Sequence, residues 1–259
     1  MKLVLVHGFP GFGRLEPVPG FAIEYFSGVE ARIKQRFRGV DVLVPELPAV
    51  GEGDERAEKL EGAITPFAAG EKVHIIAHSG GGKDARILVS PMKLSRDDLV
   101  ASITTISTPH HGSVIADLLA QPLALPASFR RRLQPFAAAV KGFTTTEMAK
   151  FNVDVPDSTE VQYFSFAGAA QRFDRGVFGS IFFYTYPLIL DRDGENDGWV
   201  SVRSAAYPRS LTAKVRADHA GEIGHNLSLL KPLDLLFGLP FQHLAFYETL
   251  VANLGAVRR

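Results

Sequence analysis

The chain has 259 residues, 46% of them hydrophobic, with 28 basic and 28 acidic side chains and no cysteine. That length and apolar content suit one α/β core and argue against a second independent unit, so residues 1–259 read as a single domain. The cancelling charges, without a long run of either sign, exclude the footprint of a nucleic-acid binder. The missing cysteine excludes disulfides, thiolate metal sites and a cysteine nucleophile.

In chain order, the first apolar run, residues 3–6, is too short for a signal-peptide core and reads as a buried strand. A cytoplasmic protein is the expectation, with signal-less export as the alternative. Further β-branched runs at 40–44, 73–77, 103–107 and 161–166 alternate with helix-like segments. This alternation predicts a mostly parallel sheet with helices on both faces. Phe26, Val29, Ile33 and Phe37 form the apolar stripe of one surface helix. Gly53 and Asp54 cap another, which runs through Leu60 and Ile64 and is expected to end before Pro66. After Gly112 the spacing lengthens to roughly fifty residues, more than a crossover needs. Residues 113–160 therefore read as a helical insertion, apolar over 114–125 and then striped at Phe129, Leu133, Phe136 and Val140. It reads either as helices completing the core or as a lid in transient contact with a lipid interface. Two later apolar stretches, 177–190 and 227–239, are interrupted by Pro187 or by Lys231, Pro232 and Asp234, and neither reaches the ~20 residues a membrane span needs.

The chemistry centres on Ala77-His78-Ser79-Gly80-Gly81, a serine between small residues with a strand-like run before it and a helix-like run after it. This pattern fits a nucleophile elbow, whose strained backbone tolerates only small side chains two residues either side of the serine. A serine hydroxyl needs a base, and the base needs an orienting group. Of the eight histidines, His7 and His78 are fixed by their own turns, His74 alternates along a strand, and His110 and His111 follow a strand end. His243 falls in a helix. His219 and His225 remain, in a polar stretch downstream of four competing acids, Asp191, Asp193, Glu195 and Asp197. Serine, acid and histidine thus come in the order of an α/β-hydrolase. The oxyanion needs two amide donors, for which Gly80 and Phe9 are the candidates.

Four segments together resemble the bacterial family I triacylglycerol lipases of the Pseudomonas, Burkholderia and Proteus type. They are 4–9, 77–82 with Arg86, Thr104 to Ser113 including Pro109-His110-His111-Gly112, and Asn196-Asp197-Gly198-Trp199-Val200-Ser201. A weaker match runs from Phe143 to Gly168. The resemblance implies an α/β-hydrolase fold and a serine hydrolase of carboxylic esters in which Ser79, His219 and Asp197 form the triad. Phe9 and Gly80 would carry the oxyanion hole. The substrate would be an acylglycerol or related lipid ester, with a short-chain carboxylesterase as the alternative. A non-catalytic ligand-binding protein of this fold is the alternative from another class. The chain departs from the family in having Ala77 where most members have glycine and in lacking their disulfide. Members usually hold a structural calcium with two aspartates, one of them two residues after the histidine. That position is Gly221 here, with Glu222 adjacent and Asp174 as the other carboxylate, so neither metal nor cofactor is expected.

Overall fold

The computed structural model describes residues 1–8, 14–18, 21–49, 53–121, 140–174, 176–208, 212–229, 236 and 239–256. Six strands form one sheet: β1 (Lys2–Val6), β4 (Asp41–Leu43), β5 (Val73–His78), β6 (Val100–Ile106), β7 (Gln162–Gly168) and β8 (Ala213–Val215). Their order is β4-β1-β5-β6-β7-β8, and every described pairing in the sheet is parallel. A separate antiparallel hairpin joins β2 (Arg14–Val18) to β3 (Phe21–Glu24).

Alternation along β1 shows why the sheet needs cover on both sides. Val4 and Val6 pack with Ile75, Ala85 and Leu88 against α2 (Gly53–Ala68) and α3 (Gly81–Val89). Leu3 and Leu5 point the other way, to Ile33 of α1 (Val29–Arg36) and to Tyr247, Leu250 and Leu254 of the C-terminal helix His243–Ala256. Successive side chains of a strand leave opposite faces, so a strand that is apolar throughout is stable only between two helical layers.

Helix α2 runs through Pro66 to Ala68, three residues past the expected end. Proline removes the hydrogen bond to the carbonyl four residues earlier, here that of exposed Gly62, which water can satisfy. Within the predicted insertion lie α4 (Val114–Ala120), a short 3-10 turn (Lys141–Phe143) and α5 (Thr145–Asp154). Ile115, Leu118 and Leu119 of α4 pack on Val140 and Ile189, whereas Met148 and Phe151 of α5 join Ala57 and Ile87. The Thr144 hydroxyl caps α5 by accepting from the Glu147 amide at 3.2 Å. The predicted helix at Phe129, Leu133 and Phe136 lies outside the described residues. The remaining α-helices among the described residues are α6 (Phe182–Asp193), α7 (Val202–Ala205) and α8 (His243–Ala256). Among the described residues no helix is long and apolar enough to cross a membrane.

Because the strands are parallel, their carboxyl ends meet at one edge of the sheet. In open α/β sheets that edge is where ligands bind.

Candidate active site

Ser79 follows β5 directly and has φ +54°, a left-handed conformation that a residue with a side chain adopts only when its surroundings enforce it. Three hydrogen bonds enforce it here. The Ser79 amide donates to Ile106 O at 2.9 Å, and Ser79 O accepts from Thr108 Oγ1 at 2.6 Å and from the Gly82 amide at 3.2 Å. The small neighbours have a steric cause. A Cβ on Gly81 would lie 2.6 Å from Val6 O and 2.8 Å from His7 O, while one on Gly8 would lie 2.6 Å from Ser79 Cβ. Ala77 is fully buried.

Asp197 sits in a tight turn after α6. Gly198 has φ +90°, and its amide donates to Asn196 Oδ1 at 2.8 Å. The amides of Trp199 and Val200 donate to Asp197 Oδ1 at 2.7 and 2.6 Å, which leaves Oδ2 facing His219 Nδ1 at 2.7 Å. His219 follows β8, and its amide donates to Asp197 O at 3.0 Å. Its Nε2 lies 3.0 Å from Ser79 Oγ. An ionised carboxylate only accepts, so Nδ1 carries the imidazole proton and Nε2 is left to accept from the serine hydroxyl. Three residues separated by 118 and 22 positions thus form one hydrogen-bonded line, with Asp197 fully buried.

The other histidines make contacts of their own. His7 Nε2 accepts from the Leu47 amide at 3.2 Å and Nδ1 donates to Gly8 O at 3.0 Å, while burial pushes its pKa down to about 4. His74 meets Ser102 Oγ at 2.8 Å, and His110 stacks on Tyr207 at 4.3 Å. His111 donates to Ala206 O, and His243 to Ser27 O. His225, the competing base, donates to the carbonyls of Glu24 and Tyr25 at 2.9 and 3.0 Å. Among the competing acids, Asp193 pairs with Arg203 and Glu195 with Lys214. Asp191 is exposed.

Gly80 is the N-cap of α3, so its amide belongs to the helix end whose N–H groups lack intrahelical acceptors. Phe9 lies outside the described residues, but the backbone at His7, two residues before it, is anchored. Arg56 donates to His7 O at 2.9 Å, to Pro48 O and to Asp84 Oδ2 at 2.8 Å. Burial pushes the Asp84 carboxyl up to about 6. The sequence offers no local signal for this clamp, because Arg56 and Asp84 lie 28 positions apart on different helices, α2 and α3.

The residues do not fit a calcium ion. Asp174 is engaged by Arg216 Nη2 at 2.6 Å, by Arg216 Nε at 3.2 Å and by the Gln171 amide at 2.8 Å. Gly221 has no carboxylate, and Glu222 turns inward to His78 Nε2 at 2.9 Å. Among the described residues, only His78, His219 and Glu222 bring three donor atoms within 4.8 Å of one another. Two imidazoles and one carboxylate are not the all-oxygen cage calcium takes.

No family model matches the chain. Triacylglycerol lipase 2 of Saccharomyces cerevisiae is 29% identical over 194 residues, which cover 71% of this chain and 57% of the yeast protein. The triacylglycerol lipase of Vibrio cholerae is 27% identical over 272 residues, 88% of this chain and 80% of that protein. Mature Bacillus licheniformis lipase BlEst2 superposes with a TM-score of 0.69 at 23% identity over 92% of both chains, a likeness of fold. The chain therefore spans little more than half of the yeast relative and four fifths of the Vibrio one. It has the α/β-hydrolase fold, and proteins homologous to it include triacylglycerol lipases.

Proposed function

We propose that this chain hydrolyses carboxylic esters, acylglycerols or related lipid esters, through an acyl-enzyme on Ser79. The observation that carries this reading is the line from Ser79 Oγ to His219 Nε2 at 3.0 Å and from His219 Nδ1 to Asp197 Oδ2 at 2.7 Å. His219 takes the hydroxyl proton as Ser79 Oγ bonds to the ester carbonyl carbon, and the carbonyl oxygen becomes an oxyanion held by the Gly80 and Phe9 amides. His219 then gives its proton to the leaving alcohol as the ester C–O bond breaks. Water, deprotonated by the same nitrogen, attacks the acyl-enzyme and returns Ser79 with its proton. Asp197 holds the imidazole in the required tautomer and stabilises its cation. No step uses a metal, consistent with a carboxylate–guanidinium pair at Asp174.

The test is hydrolysis of p-nitrophenyl esters from acetate to palmitate by the wild type and by Ser79→Ala. Activity extending to long chains and lost in Ser79→Ala is expected. Restriction to acetate and butyrate would make the protein a short-chain esterase, and turnover by Ser79→Ala would overturn the nucleophile.

A further inference from the structure

A second buried polar chain lies directly beneath the proposed triad, and the chemistry above does not use it. The Tyr25 phenol oxygen packs against Gly8 and lies 2.7 Å from His78 Nδ1. His78 Nε2 is 2.9 Å from Glu222 Oε2. Ser107 Oγ donates to Glu222 Oε1 at 2.6 Å and accepts from the Gly168 amide at 3.0 Å. His78, Ser107 and Glu222 are all buried.

The Ser107 hydroxyl, whose oxygen takes the Gly168 amide, gives its proton to Glu222 Oε1. Burial holds the His78 imidazole well below its ordinary range and the Glu222 carboxyl well above its own, so a single proton lies between His78 Nε2 and Glu222 Oε2, and His78 Nδ1 pairs with the Tyr25 hydroxyl. The chain therefore crosses the ends of β1, β5, β6 and β7 and closes on the turn just after His219. The His78 and His219 ring centroids are 4.6 Å apart. At the other end Gly8, the residue before Phe9, has its Cα pressed against both Ser79 and the Tyr25 hydroxyl, since a Cβ there would come within 2.7 Å of each. His225 doubles the connection, donating to the carbonyls of Glu24 and Tyr25 while its own amide donates to Ala220 O.

We propose that Tyr25, His78 and Glu222 are positioning residues, a hydrogen-bonded strut that fixes Gly8, the residue before Phe9, against the ring of His219. The inference rests on the Ser79–His219 reading. Cohesion alone does not account for the strut. Burying a phenol, an imidazole and a carboxyl costs desolvation that apolar side chains of the same volume avoid, whereas a directional chain sets distances. Small displacements between nucleophile, base and oxyanion donors carry large rate penalties.

A double-mutant cycle on Tyr25→Phe and Glu222→Gln tests this. Phenylalanine removes only the hydroxyl, and glutamine replaces the carboxyl that faces His78 Nε2 with an amide. Each variant is expected to lower kcat by about tenfold or more with KM within about twofold, and the double variant to be no slower than the slower single one, because both break the same chain. Effects on kcat that multiply, or a Tyr25→Phe enzyme with wild-type kcat, would overturn the strut. Should Glu222→Gln not fold, Ser107→Ala closes the cycle from the other end of the chain with the same expectations. Ser79→Ala, run alongside, separates the two readings: an active Ser79→Ala enzyme refutes the triad, while an inactive one beside a fully active Tyr25→Phe refutes the strut alone.

Discussion

Asparagine at position 197 would keep the shape of the site and reverse one hydrogen bond. Asp197 Oδ1 accepts from the Trp199 and Val200 amides at 2.7 and 2.6 Å, so in Asp197→Asn the amide oxygen must stay there and the NH2 group must take the place of Oδ2. That NH2 then faces His219 Nδ1 at 2.7 Å, donor against donor, unless the imidazole moves its proton to Nε2. With the proton on Nε2 the ring has no lone pair for the Ser79 hydroxyl 3.0 Å away, and the imidazolium formed during reaction has lost its counter-ion. The same change in serine proteases costs about 10⁴ in kcat, and a loss of about 10³ to 10⁴, or roughly 4–5 kcal/mol, is expected here. The two backbone bonds survive, so Tm should change little. The assay is kcat and KM on p-nitrophenyl butyrate with melting curves on the same preparations. An Asp197→Asn enzyme retaining a tenth of wild-type kcat would refute the assignment of the orienting acid.

Three other outcomes follow from the same geometry. Burial pushes the Asp218 carboxyl from 3.8 up to about 7, so the folded protein holds this proton over a pH range in which the unfolded chain has released it. Stability therefore falls as pH rises through that window. Asp218→Asn keeps an oxygen for the Ala220 and Gly221 amides and should raise the urea midpoint at pH 8 while leaving it unchanged at pH 4. An unchanged midpoint at pH 8 would contradict this. Gly81→Ala places a methyl against the backbone oxygens of Val6 and His7 and should lower Tm by roughly 5–10 °C together with activity. A chelator should change neither Tm nor ester hydrolysis, while Arg216→Gln should lower Tm slightly, since Arg216 holds Asp174.

Much of this was legible because the signals are local. The run 3–6 is apolar at every position and 73–77 at every position but His74, and they became β1 and β5, buried between two layers. The elbow was legible for a steric reason that the fold makes explicit in the backbone oxygens around Gly81. Hairpin β2–β3 carries Arg14, Glu16 and Pro17 and has no β-branched run, and β8 is only three residues long with Lys214 at its centre, so neither stood out. His225 competed with His219 because the two share one polar stretch. Its partners are the carbonyls of Glu24 and Tyr25, some two hundred residues away, which no local pattern encodes. Glu222 read as a neighbour of a metal position, and the 3-10 turn Gly221–Ile223 instead carries it inward to His78 and Ser107. On an irregular turn neither period of side-chain direction applies, and the face a residue takes is set by tertiary contacts.

The central claim is that Ser79 is a nucleophile activated by His219. Reaction with a fluorophosphonate, followed by mass mapping of the labelled peptide, tests it most directly. One adduct per chain, on Ser79, absent from Ser79→Ala and formed far more slowly in His219→Ala, is the expected result. No adduct, or an adduct on a different residue, would contradict the account.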